Sequence, residues 1–166
     1  MIRKSLGPPW LLKVLAVAFL VTNWAPFPEA GASPRNIAGK LDREGVARIM
    51  QAKDSPTVVV MMASWCGPCK KELPSLVKLY EKYRPHGLRM IGLSFEIGGP
   101  SALQPILERF RVPFPVYCVP EELLSQYDIT AVPMLFMIKD GKITEKISGS
   151  RPEAFLQNKI QELLER

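Results

Sequence analysis

The sequence predicts an α/β fold, a central mixed β-sheet flanked by helices on both faces. Two observations carry that expectation. Short apolar, β-branched runs alternate with segments of helical spacing, the pattern of strands joined by crossover helices. The alternation ends in two runs, Met134 to Ile138 and Ile143 to Ser148, joined by Lys139-Asp140-Gly141-Lys142. Asp-Gly between such runs marks a hairpin. Crossovers followed by a hairpin make the sheet mixed.

The elements follow in order. Leu41 to Lys53 carries Leu41, Val46, Ile49 and Met50 near helical spacing, with Gly45 interrupting it. Thr57 to Met62 is a β-branched apolar run, expected to be a fully buried strand. Pro68 to Tyr83 predicts a helix with Leu73, Leu76, Val77 and Tyr80 on its apolar face, and Pro74 inside it predicts a kink. Leu88 to Phe95 predicts a strand and Ser101 to Phe110 a helix with an early Pro105. Phe114 to Val119 predicts a short strand, and Glu121 to Tyr127 a short helix. In the last helix Ser150 is the expected cap, Pro152 sits in the first turn, and Glu153 completes a Ser-x-x-Glu capping box. Leu156, Ile160, Leu163 and Leu164 form its apolar face. The expected order is α-β-α-β-α-β-α-β-β-α.

A length of 166 residues suits one domain plus an appendage. Hydrophobic residues make up 47%, enough for a core, and charged residues 23%, an ordinary share. The net charge is +6, but the basic residues are scattered, so no nucleic-acid partner is expected. Met1 to Ala32 has the parts of a secretory signal: Arg3 and Lys4, the stretch Leu11 to Val21, apolar except for Lys13, and the small-x-small site Ala30-Gly31-Ala32. Leu11 to Trp24 is shorter than the ~20 residues that span a bilayer. An uncleaved N-terminus anchoring the chain to the membrane is the alternative. The expected organisation is a signal peptide at 1–32, a linker at 33–40 and one domain at 41–166, working in the periplasm or otherwise outside the cytoplasm. A monomer is expected.

Trp65-Cys66-Gly67-Pro68-Cys69 follows the buried strand and opens a helix. A helix N-terminus presents free N–H groups and a positive dipole end, which favour a thiolate at Cys66. Pro68 lacks an N–H and fits the first turn. Cys66 is therefore the expected nucleophile, exposed, and Cys69 the deeper resolving thiol. A zinc site would need four ligands, and only Cys118 and His86 remain, neither with a partner at ligand spacing. No metal is expected. A purely structural bridge would not need the strand–helix placement.

The segment Met61-Met62-Ala63-Ser64-Trp65-Cys66-Gly67-Pro68-Cys69-Lys70-Lys71-Glu72-Leu73-Pro74 resembles the active site of thioredoxin-like proteins. It is similar above all to the exported TlpA/ResA-like branch. Tyr127-Asp128-Ile129-Thr130-Ala131-Val132-Pro133-Met134-Leu135-Phe136 agrees. The resemblance covers about residues 41–166 and implies a thioredoxin fold. It implies a cis Pro133 lying against the cysteines, with Trp65, Gly67, Pro68, Val132 and Pro133 facing the substrate. Cytoplasmic thioredoxins carry a buried acid where this chain has Val60. The TlpA/ResA-like branch carries instead a glutamate matched by Glu72, the expected proton-transfer group. The branch also usually has a longer hairpin before the first core strand, where residues 33–56 here read as a linker and one helix.

The resemblance further implies a thiol–disulfide oxidoreductase whose only redox group is the Cys66–Cys69 pair, with no other cofactor. Its substrates would be exported proteins bearing disulfides. Its electrons would come from a membrane thiol–disulfide transporter of the DsbD/CcdA type, and cytochrome c maturation is the first role to expect. A peroxiredoxin-type peroxidase would need Pro-x-x-x-Thr-x-x-Cys, which is absent. A binding or chaperone module without turnover would not need an intact Cys-x-x-Cys. Cys118 is expected to be a buried small hydrophobe, His86 a surface loop residue, and Glu96 a solvated loop acid.

Overall fold

The computed structural model describes residues 39–165. The expected signal at 1–32 and residues 33–38 of the expected linker lie outside the described residues. The elements are β1 (Gly39–Lys40), α1 (Arg43–Met50), β2 (Thr57–Met62), α2 (Gly67–Tyr83), a 3-10 turn (Arg84–His86), β3 (Arg89–Ser94), α3 (Pro100–Arg109), β4 (Val116–Cys118), α4 (Leu123–Gln126), β5 (Met134–Lys139), β6 (Lys142–Ser148) and α5 (Glu153–Glu165). The sheet order is β1-β4-β3-β2-β5-β6. The strands β1, β4, β3 and β2 are parallel, while β5 runs antiparallel to β2 and β6 to β5. The expected mixed sheet is found. No helix among the described residues is long and apolar enough to cross a membrane.

Chain connectivity sets the two layers. The crossovers β2-α2-β3 and β3-α3-β4 step in the same direction, and right-handed steps put both helices on one face. There Leu73, Leu76, Leu79, Leu103 and Leu107 join Leu156, Ile160 and Leu163 of α5 against Val58, Val60 and Met62. The return connections through α1 and α4 cover the other face. Val46, Ile49, Met50 and Leu123 pack there against Val59, Met61, Phe136 and Ile138. Every residue of β2 is therefore buried, as its unbroken apolar run predicts. Each fully buried Leu, Val or Met in these layers contributes roughly 1.5–3 kcal/mol. Close approach is built in at Gly92, where an added Cβ would lie 2.8 Å from Val116 Cγ1. The hairpin turn has positive φ at both Asp140 (52°) and Gly141 (75°), matching the Asp-Gly signal.

Two expectations need correction. Gly39 and Lys40 do not end a loose linker; they form β1, pairing with Tyr117 and Cys118. A two-residue ladder is made by backbone groups alone and leaves no side-chain period to read. The capping box of the last helix does not form. The helix starts at Glu153 itself, two residues short of the third helical position from which a capping-box Glu reaches back. Its carboxylate turns to Lys78, 2.6 Å away, and to Ser75. Pro74 lies inside α2, which runs from Gly67 to Tyr83.

Candidate active site

The topology gathers three segments at the carboxyl end of β2. The turn Ala63–Cys66 follows β2 directly. The loop after β3 lies beside it, because Met62 is level with Ser94. The residues before β5 lie on its other side, because β5 is antiparallel and Met134 pairs with Met61.

In the turn, the Cys66 N–H donates to the Ala63 carbonyl at 3.1 Å. Trp65 at its corner is 66% exposed. Cys66 is the N-cap of α2, and its sulfur accepts the Cys69 N–H at 3.1 Å. That placement is the physical reason to expect a stabilised thiolate: the first N–H groups of a helix lack intrahelical partners, and an anion satisfies them. Cys66 and Cys69 are bridged, with Cα atoms 5.3 Å apart. Pro68 occupies the first turn, as expected. Gly67 and Pro68 are exposed, and a Cβ on Gly67 would meet nothing. One expectation fails: Cys66 is not the exposed partner, being 4% exposed against 2% for Cys69. In the bridged state its sulfur is tied to Cys69 and sits beneath the Val132 carbonyl.

The Val132–Pro133 bond is cis, as the resemblance implies. The Val132 carbonyl oxygen lies 3.6 Å from Cys66 Sγ. Pro133 is buried, and its own carbonyl accepts the Gly149 N–H at 2.9 Å. The proline loop is thus held to the end of β6 while Val132 faces the nucleophile.

Glu72 is buried, 3% exposed, one turn beyond Cys69 on the same side of α2. Its Oε1 accepts the Arg151 N–H at 2.7 Å. Oε2 is buried and finds no hydrogen-bond partner among the described residues. Burial pushes the carboxyl above its ordinary range; the Arg151 N–H, the Ser150 side chain and the Arg151 charge pull the other way. Val60, standing where cytoplasmic thioredoxins carry an acid, is a core residue, 1% exposed.

Glu96 is not a solvated loop acid. Its carboxylate accepts both the backbone N–H and the hydroxyl of Ser64, the latter at 2.7 Å, and lies 2.8 Å from the Ser94 hydroxyl. The only sequence signal would have been Ser94-x-Glu96 at the end of a parallel strand. Cys118 is a free, buried thiol, as expected. Burial, then the Glu96 charge, push it up, and Lys40 pulls it down. Such a thiol is unreactive. His86 is exposed on the 3-10 turn.

Comparison with known proteins fits this geometry. The curated thiol-disulfide oxidoreductase ResA of Bacillus cereus is 31% identical over 102 residues, 60% of this chain and 58% of ResA. The chain thus spans less than two thirds of the length of that relative. A thioredoxin-family thiol:disulfide interchange protein from Chlorobium tepidum superposes with a TM-score of 0.63 at 20% identity, covering 81% of this chain and 99% of that one. StoA from Bacillus subtilis gives a TM-score of 0.56 at 22% identity, covering 64% and 83%. These likenesses show the thioredoxin fold. The model of the AhpC/TSA family matches residues 35–146, through both the cysteine pair and the Pro133 loop, and with more than half of its length so matched the chain belongs to that family.

Proposed function

We propose that this chain is an extracytoplasmic thiol–disulfide oxidoreductase that reduces disulfides in exported proteins. The observation that carries the reading is the Cys66 sulfur at the N-cap of α2, accepting the Cys69 N–H and facing the Val132 carbonyl. In the reduced protein the Cys66 thiolate attacks one sulfur of a substrate disulfide. A mixed disulfide forms and one substrate thiolate leaves. The Cys69 thiolate then attacks Cys66 Sγ, closing the Cys66–Cys69 bridge and releasing the second substrate thiol. Two electrons pass to the substrate, and a membrane dithiol donor of the DsbD/CcdA type restores the pair. Trp65, Gly67, Pro68, Val132 and Pro133 form the face met by the substrate backbone. Glu72, buried one turn beyond Cys69, exchanges protons as the thiols open and close. Cytochrome c maturation is the role we assign first.

A peroxidase reading has no support at the site. Counting back from Cys66, Val59 and Ala63 stand where the peroxidase arrangement needs Pro and Thr. Insulin reduction with dithiothreitol tests the proposal. Wild type should accelerate precipitation of the insulin B chain, Cys66→Ser should lose the acceleration, and Cys69→Ser should accumulate mixed disulfides through Cys66. A wild type that gives no acceleration would overturn the reading in favour of a module that does not turn over, and a Cys66→Ser protein as active as wild type would remove Cys66 as the nucleophile.

A further inference from the structure

The chain leaves β2 and β3 at the same height, since Met62 is level with Ser94. Two residues on, Ser64 and Glu96 therefore meet. The Glu96 carboxylate takes both polar hydrogens of Ser64, those of its backbone N–H and its hydroxyl. It is steadied in turn by Ser94, a fully buried residue whose hydroxyl lies 2.8 Å from Glu96 Oε1 and 3.0 Å from the Met62 carbonyl. That hydroxyl has one proton for two acceptors, so the acid and the last carbonyl of β2 share it. Ser64 is the second residue of the four-residue turn that ends at Cys66, whose N–H closes back on Ala63. The whole turn is thereby fastened to the neighbouring strand through one carboxylate.

We infer that Glu96 is the positioning residue of the nucleophile: by anchoring Ser64 it sets Cys66 at the N-cap of α2 and under the Val132 carbonyl. The inference rests on the reading of Cys66 as the attacking thiol. Glu96 acts through Ser64 and takes no part in the exchange itself. A sulfur 3.1 Å from the Cys69 N–H has that contact lengthened and bent if the turn shifts. Both the reactivity of the thiolate and the balance between dithiol and disulfide then change.

The test compares wild type, Glu96→Ala, Glu96→Gln and Ser64→Ala. Three quantities are measured: the iodoacetamide alkylation rate of Cys66 in the reduced protein, mapped by peptide mass; the equilibrium constant of the pair against glutathione; and thermal unfolding. Glu96→Ala should slow alkylation about tenfold and move the equilibrium constant by a similar factor. Glu96→Gln, whose amide oxygen still accepts the Ser64 N–H, should stay within about threefold of wild type. Ser64→Ala keeps the N–H contact, loses the hydroxyl, and should slow alkylation about twofold. A folded Glu96→Ala with wild-type alkylation and equilibrium constant overturns the inference, as does a Glu96→Gln impaired as badly as Glu96→Ala. Should Glu96→Ala not fold, Ser64→Ala decides, and a wild-type alkylation rate there overturns it. None of these measurements uses a protein substrate. A wild type inactive on insulin would therefore sink the functional reading separately.

Discussion

Two acids stand beside the same cysteine pair in opposite conditions. Glu72 is buried on α2 with one oxygen paired and the other without a partner. Glu96 lies on the loop after β3 with both oxygens occupied. An unpaired buried oxygen makes the charged form costly and leaves a place for a proton. An acid surrounded by donors is fixed as an acceptor and acts as a clamp. The difference teaches that closeness to a redox pair does not decide an acid's task. The hydrogen bonds left unmade decide it.

The strongest way to break this comparison is through rate. If Glu72 moves protons for the couple, Glu72→Gln should lower disulfide reduction near neutral pH by at least about tenfold and change the shape of the pH–rate profile. The clamp reading predicts that Glu96→Gln keeps the wild-type shape. Equal profiles for all three proteins would erase the distinction.

Stability against pH sharpens it next. Burial raises the folded-state value for Glu72 above its ordinary 4.5. Between those two values the native chain binds more protons than the unfolded chain, so stability falls as the pH rises through that window. The loss is about 1.4 kcal/mol for each pH unit that the window spans. Urea midpoints should show this decline in wild type and not in Glu72→Gln. A decline that persists in the variant would assign it to another group.

A smaller effect is expected at Ser94. Removing its hydroxyl in Ser94→Ala takes one donor from the Glu96 clamp and should cost about 1 kcal/mol. Smallest of all is Gly67→Ala on the open side of the same turn, where a Cβ meets nothing. Its unfolding free energy should stay within about 0.5 kcal/mol of wild type. A larger change would mean that the turn is held from the solvent side as well.

The features written in local patterns were legible. The strand–helix setting of Cys66, the Pro133 loop, the Asp140-Gly141 hairpin and the apolar stripe of the last helix each occupy a short stretch of chain. What escaped depends on which strands become neighbours. Glu96 finds Ser64 only because β3 pairs in parallel with β2 in one register, and nothing within Phe95-Glu96-Ile97 records that. Gly39 and Lys40 join the sheet through backbone groups that every sequence possesses. Ser150 and Glu153 do match a helix-start pattern. For Glu153 a tertiary partner, Lys78, outcompetes it. The depth of Cys66 was misjudged because the Val132 carbonyl reaches over it from 66 residues away.

Among the described residues the sheet has two rims of unequal length. One is β1, two residues long; the other is β6, seven residues long. A free strand rim is a template on which another extended chain can grow into a fibre. At the long rim Lys142, Thr144, Lys146 and Ser148 alternate along the exposed side, and lysines on a rim strand discourage another chain from pairing there. That pattern works against the long rim serving as a seed for a fibre of this chain.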